Sequence, residues 1–140
     1  MILSGQSILL RGPIVNPQPR TEVGVAGVNR TTFGLGPAGY DLRLDTVSRD
    51  GAVEDTRGAW LQPGEFALAS TLEEFRMPAD VLGVVHDKST WARRGLAAQN
   101  TVIEPGWRGF LTLELTNHGR EPLWLEHGVG IVQVIFHLLD

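Results

Sequence analysis

The stretch Lys88-Ser89-Thr90-Trp91-Ala92-Arg93-Arg94-Gly95-Leu96 holds the residue types that bind an anion. If Ser89 opens a helical turn, the first backbone N–H groups of that turn lack helical partners and point outward. Together with the Ser89 and Thr90 hydroxyls and the Lys88 ammonium, they would suit a phosphate. Arg93 stands one turn beyond Ser89, on the same face. The same residues also suit an ordinary helix cap and a solvent-facing arginine. A second stretch, Phe110-Leu111-Thr112-Leu113-Glu114-Leu115-Thr116, alternates apolar and polar positions. As a strand it turns Leu111, Leu113 and Leu115 one way and Phe110, Thr112, Glu114 and Thr116 the other. That second face either meets water or lines a cleft. In a cleft the carboxylate needs a compensating cation or hydrogen bonds, and Arg93 is the candidate partner. A glutamate so placed can activate water as a general base. Glu104, ahead of Pro105-Gly106 at the head of the same hairpin, is a second acid in reach, or simply a turn residue.

Charge and composition narrow the chemistry. The net charge of -4 argues against a nucleic acid polymer as partner, since phosphate-backbone binding wants a basic surface. Between His86 and Arg108, however, Lys88, Arg93, Arg94 and Arg108 outnumber Asp87 and Glu104, leaving this stretch at +2 and the rest of the chain at -6. A positive island on an acidic protein fits a small anionic ligand. The absence of cysteine excludes a disulfide framework, thiolate catalysis and cysteine-ligated zinc, including the zinc-type nucleobase deaminase pattern. His86, His118, His127 and His137 lack metal-pair spacing, so no protein-held metal is expected. There is no phosphate-binding P-loop and no nucleophile elbow. Trp60, Trp91, Trp107 and Trp124 suit a core or a subunit contact, with Trp107 placed to border a ligand.

Short strands must position these residues. Seventeen glycines and eight prolines cut the 140 residues into pieces too brief for long helices. Apolar or alternating runs occur at Tyr40–Leu44, Phe66–Ser70, Val81–Val85, Phe110–Thr116, Pro122–Leu125 and Gly130–Leu138, each bounded by turn residues. The pattern predicts an all-β sandwich, barrel or jelly roll with one or two short helices. The helices are expected near Ser4–Leu10, behind a serine cap, and over Ser89–Arg94, stopped by Gly95. Residues Pro13–Pro37 are expected to form a long irregular loop. The length suits a single domain spanning 1–140, since domains usually run to roughly 100–200 residues. No apolar run is long enough to cross a bilayer and no signal peptide is read at MILSGQSILLRG, so a soluble cytoplasmic protein away from membranes is expected.

Taken together, these motifs resemble the dCTP deaminases, which share a superfamily with the trimeric dUTPases. Lys88–Leu96 is similar to the family's R-S-S-L-A-R-x-G-L, Ile103–Gly109 to I-D-P-G-[WF]-x-G, and Leu111–Asn117 to I-T-L-E-L-x-N. Pro37–Leu44 resembles P-A-S-Y-D-L-R-L, Gln62–Ala69 resembles the P-G-E-L-A-L-A strand, and Gly128–Phe136 the closing G-M-x-I-x-Q-L-x-F strand. The resemblance implies a distorted jelly-roll, dUTPase-like β-barrel that forms a homotrimer with nucleotide sites at subunit interfaces. It implies zinc-independent deamination of dCTP to dUTP with release of ammonia, supplying pyrimidine deoxynucleotide synthesis.

By the same resemblance, Glu114 activates the water that attacks C4 of cytosine, Ser89 holds substrate and water, and Arg93 stabilises the charge of the site. Lys88, Ser89 and Thr90 cradle the phosphates and their magnesium ion, with Trp91 and Ala92 completing the binding segment. Glu104 sits at the sugar, and the backbone of Thr112, Leu113 and Glu114 edges the base. Three departures stand out: Lys88 in place of arginine, Glu104 in place of aspartate, and a short Thr101-Val102-Ile103 loop. The sequence also stops at Asp140, where family members usually carry a segment that folds over the nucleotide. The alternatives are a dUTP or dCTP phosphohydrolase, alone or combined with deamination, and a lidless nucleotide-binding module with little turnover.

Overall fold

The computed structural model describes residues 1–53 and 55–140. It begins with α1 (Gly5–Arg11), β1 (Thr21–Val25), β2 (Asn29–Leu35), β3 (Tyr40–Arg49), β4 (Ala52–Val53) and β5 (Gly58–Leu61). β6 (Phe66–Arg76), β7 (Val81–Asp87), α2 (Ser89–Ala92), β8 (Leu96–Ala98) and β9 (Val102–Ile103) follow. The chain closes with β10 (Arg108–Asn117), β11 (Leu123–Glu126) and β12 (Gly130–Leu138). The main sheet runs β8-β10-β6-β3-β12-β7-β9, with the β1–β2 hairpin and β4 attached to β3, and β11 pairs with β5 in a small second sheet. Every pairing is antiparallel. The fold is all-β, as expected.

β3 holds the two halves of the sheet together. Its first residues pair with β12 and its later ones with β6. Tyr40, Leu42 and Leu44 point inward along it and meet Phe75, Leu113, Leu115, Val134 and Phe136 in one continuous core. The alternation of β10 holds: Leu111, Leu113 and Leu115 are buried, while Phe110 and Thr112 are exposed and Glu114 and Thr116 half-buried. Where β6 bulges between the pairs Phe110↔Glu74 and Thr112↔Ser70, the Leu111 N–H donates to the Thr71 hydroxyl. That bond keeps the inward register of β10 across the irregularity.

The helix expectation at the amino terminus is met. Ser4 caps α1 by accepting from the Ser7 N–H, and Gly12 closes it in the left-handed conformation. The second helix is shorter than expected, ending at Ala92, with Arg93 and Arg94 in the turn that leads to Gly95. Gly95 has φ +95° and a Cβ there would lie 2.3 Å from the Gly119 backbone, so glycine is required. The expectation of a loop over Pro13–Pro37 is corrected: β1 and β2 form a hairpin in that span, docked on β3. The exposed positions of these strands carry Glu22, Gly24, Asn29 and Arg30, and the alternation of β1 is too short to stand out among the glycines and prolines around it.

Candidate active site

Glu114 is the acid that β10 presents. Register places it opposite Leu68 of β6, on the outward face, and its carbonyl accepts from the Gln99 N–H. Its Oε2 is buried and accepts no hydrogen bond. A carboxylate oxygen removed from water and left unpartnered costs stability, so its burial calls for a reason beyond packing. Glu114 stands in the wall of a cleft of about 260 Å³ together with Thr101, Glu104, Trp107, Phe110 and Thr112. Glu104 is exposed on the turn before β10, where its carbonyl accepts from Trp107 N–H and Gly106 takes φ +78°. Trp107 leans on Phe75, with ring centroids 6.1 Å apart, and floors this end of the cleft. Glu104, Thr112 and Glu114 are thus brought together.

A second cleft, also about 260 Å³, lies at the start of α2 and is lined by Arg20, Glu22, Arg30, Lys88, Ser89 and Thr90, with Thr31 and Thr32 behind them. The helical bonds of α2 begin with the N–H groups of Trp91 and Ala92, which donate to the Lys88 carbonyl. Ser89 is exposed and Thr90 half-buried here. Arg93 is exposed at the far end of α2, its N–H donating to the Ser89 carbonyl, and it makes no ion pair among the described residues. Within one chain Ser89 and Glu114 therefore line different clefts, and the expected Arg93–Glu114 partnership is not formed.

Burial constrains how three of the expected site residues can act. The Lys88 side chain is only 10 % exposed; its Nζ lies 2.6 Å from Asp41 Oδ2 and donates to the Thr32 hydroxyl at 2.8 Å. That ammonium is committed to the protein rather than to phosphate. Trp91 is 1 % exposed and its indole N–H donates to the Gly130 carbonyl at 2.8 Å, so its side chain anchors α2 from below. Leu113 is 1 % exposed and belongs to the core, which leaves only its backbone near the outer face. Ala92 is exposed but lines neither cleft.

The structure adds residues the sequence alone did not single out. Arg20, Glu22 and Arg30 reach the second cleft only because residues 21–35 fold into a hairpin against β3. Asn117 is fully buried: its amide donates to the carbonyls of Leu61 and Glu121, and its Oδ1 accepts from the Gly119 N–H. Through the His118 N–H, which donates to the Gly95 carbonyl, it fixes the turn that carries Arg93. Its position at the end of the alternating β10 run, where a polar residue points inward, was the available signal.

The architecture defines the class. It superposes on EIAV dUTPase with a TM-score of 0.59 at 22% identity, over 73% of this chain and 76% of that one. It superposes on the 2'-deoxycytidine 5'-triphosphate deaminase of Agrobacterium tumefaciens with a TM-score of 0.70 at 20% identity, over 98% of this chain but 47% of that longer one. The fold is therefore dUTPase-like. Residues 45–139 match the family model described as dCTP deaminase-like. The dCTP deaminase of Thermococcus kodakarensis is 38% identical over 110 residues, covering 76% of this chain and 71% of its own. That of Protochlamydia amoebophila is 34% identical over 142 residues, covering 89% and 74%. The chain belongs to the dCTP deaminase-like family.

Proposed function

We propose that the protein is a dCTP deaminase that hydrolyses the C4 amine of the cytosine nucleotide to give dUTP and ammonia. The observation that carries this reading is the buried, unpartnered Oε2 of Glu114 in the wall of a cleft. A general base is favoured where a desolvated carboxylate borders a cleft that substrate can enter, and Glu114 has a buried Oε2 and lines such a cleft. It accepts a proton from the water as oxygen bonds to C4, then returns a proton to the amine as the C4–N bond breaks. Thr112 and the β10 backbone edge the base, and Glu104 lies at the sugar. Ser89 and Thr90 bind the phosphates; Ser89 also reaches the reacting water, and Arg93 offsets the charge that builds there.

Glu104, Thr112 and Glu114 line one cleft of the chain and Ser89 and Thr90 another, so the working site joins the Glu114 cleft of one copy to the Ser89 cleft of the next. The surface around Glu114 supports a homotrimer of this kind. Phe66, Leu68 and Phe110 stand 54 %, 40 % and 58 % exposed on the same outer face of β6 and β10 as Glu114. Such an apolar face suits burial against a second copy. Among the described residues no three His, Asp or Glu side chains gather to hold a metal ion. In this reading a magnesium ion would be held by the triphosphate itself, where it would neutralise phosphate charge. Among the described residues no helix is long and apolar enough to cross a membrane.

Incubation with dCTP and magnesium, with ammonia assayed and nucleotides resolved, tests the reading. Ammonia with stoichiometric dUTP is expected. Release of pyrophosphate with a monophosphate would assign a phosphohydrolase instead, and nucleotide binding without product would reduce the protein to a binding module.

A further inference from the structure

Resting on the deaminase reading, we infer that Arg20 is the cation that recognises the nucleotide's polyphosphate tail, the part that Lys88 would otherwise play. Three cations line the cleft beside α2, and two already have an ion-pair partner within the chain. Lys88 is paired with Asp41 at 2.6 Å, and Arg30 is paired with Glu22 at 2.6 Å. The Arg20 guanidinium is exposed and, among the described residues, has no ion pair or hydrogen bond. The hydroxyls divide in the same way. Thr31 donates to the Gly130 carbonyl and Thr32 to Asp41, whereas Ser89 and Thr90 keep theirs for a ligand. Among the described residues, the donor side chains of this cleft that have no partner at all are one guanidinium and two hydroxyls.

The backbone that carries Arg20 is held on both sides. The Gln18 N–H donates to the buried Tyr40 hydroxyl at 2.9 Å, and the Gln18 carbonyl accepts from the Leu35 N–H at 3.0 Å. Pro19 presses its carbonyl against Gly34, where a Cβ would come within 2.3 Å, and Thr21 Oγ1 donates to the same carbonyl. Arg20 therefore projects from a fixed point beside β1 with an unspent charge. A guanidinium fork matches phosphate oxygens in pairs, which a lysine ammonium does not. Fixing its root lowers the ordering cost of binding.

Calorimetry on the full chain with tripolyphosphate, dCTP and dCMP tests the assignment. Arg20→Gln weakens tripolyphosphate and dCTP about tenfold, the order of one charge-assisted hydrogen bond, and leaves dCMP unchanged. Glu22→Gln, which frees Arg30, tightens both; opposite signs in the two variants mark an electrostatic site. Arg94→Gln, in the separate cleft beside Trp60 and Trp124, leaves all three unchanged. The assignment is overturned if Arg20→Gln leaves tripolyphosphate and dCTP unaffected, or weakens dCMP as much as dCTP. A parent protein that binds tripolyphosphate through Arg20 yet releases no ammonia from dCTP would sink the deaminase reading and leave the anion site standing.

Discussion

Replacing Glu114 with glutamine keeps the shape of the side chain and removes its basicity. The residue is half-buried on β10 with Oε2 cut off from water and unbonded, so the carboxylate has little to lose structurally. Removing a buried, unpaired charge does not destabilise the fold, and the variant should melt at or above the parent's temperature. Binding of dCTP, carried by the sugar, base-edge and phosphate contacts, should change little. Turnover should fall by about 10²–10⁴, the range for loss of a positioned general base. At about 1.36 kcal/mol per decade that is about 3–5 kcal/mol of barrier. The assay pairs ammonia release with calorimetric dCTP affinity and a thermal melt. Ammonia released within about tenfold of the parent rate would remove Glu114 from the proton-transfer step. Equal losses of binding and turnover would make it a binding residue only.

Two further outcomes concern the frame. Lys88→Met leaves Asp41, 5 % exposed, without its cation, and breaking a buried pair costs about 3–5 kcal/mol, read by chemical denaturation; an undiminished stability would show that the pair is not structural. Burial pushes the Glu73 carboxyl above its ordinary 4.5, against the opposing pull of Arg43, which lies 2.8 Å away. The folded chain thus holds that proton more tightly than the unfolded one, so this contribution is full below 4.5 and is lost as pH rises through the raised value. The stability of the parent relative to Glu73→Gln should therefore decline as pH rises above 4.5, and a difference that grows with pH would refute the assignment.

What the chain disclosed in advance follows from the range of the interactions. The outward placement of Glu114 was legible because alternation is local: each leucine of Leu111-Thr112-Leu113-Glu114-Leu115 fixes the side on which its neighbours lie. The Ser4 cap and the Gly95 stop are likewise written within a few residues of where they act. The pairing of Lys88 is not legible locally, because its partner Asp41 is distant in sequence and meets it only when β12 draws β3 and β7 together. The core position of Trp91 follows from its type, whereas its partner does not, since the Gly130 carbonyl that receives its indole arrives from the last strand. The β1–β2 hairpin was hidden by composition: Gly24 and Gly34 read as loop residues, yet Gly34 adopts φ +92° where Pro19 passes too close for any side chain. With the hairpin missed, Arg20 and Arg30 had no visible route to the phosphate cleft.

The central claim is that a working site is built from the Glu114 cleft of one copy and the Ser89 cleft of its neighbour. It is tested most directly by combining two inactive chains, one carrying Glu114→Gln and the other Ser89→Ala with Arg93→Gln. Mixed trimers isolated through two different tags should regain about a third of the parent activity, because a closed ring of three then contains one interface with both halves intact. Mixed trimers as inactive as their components would contradict the shared site.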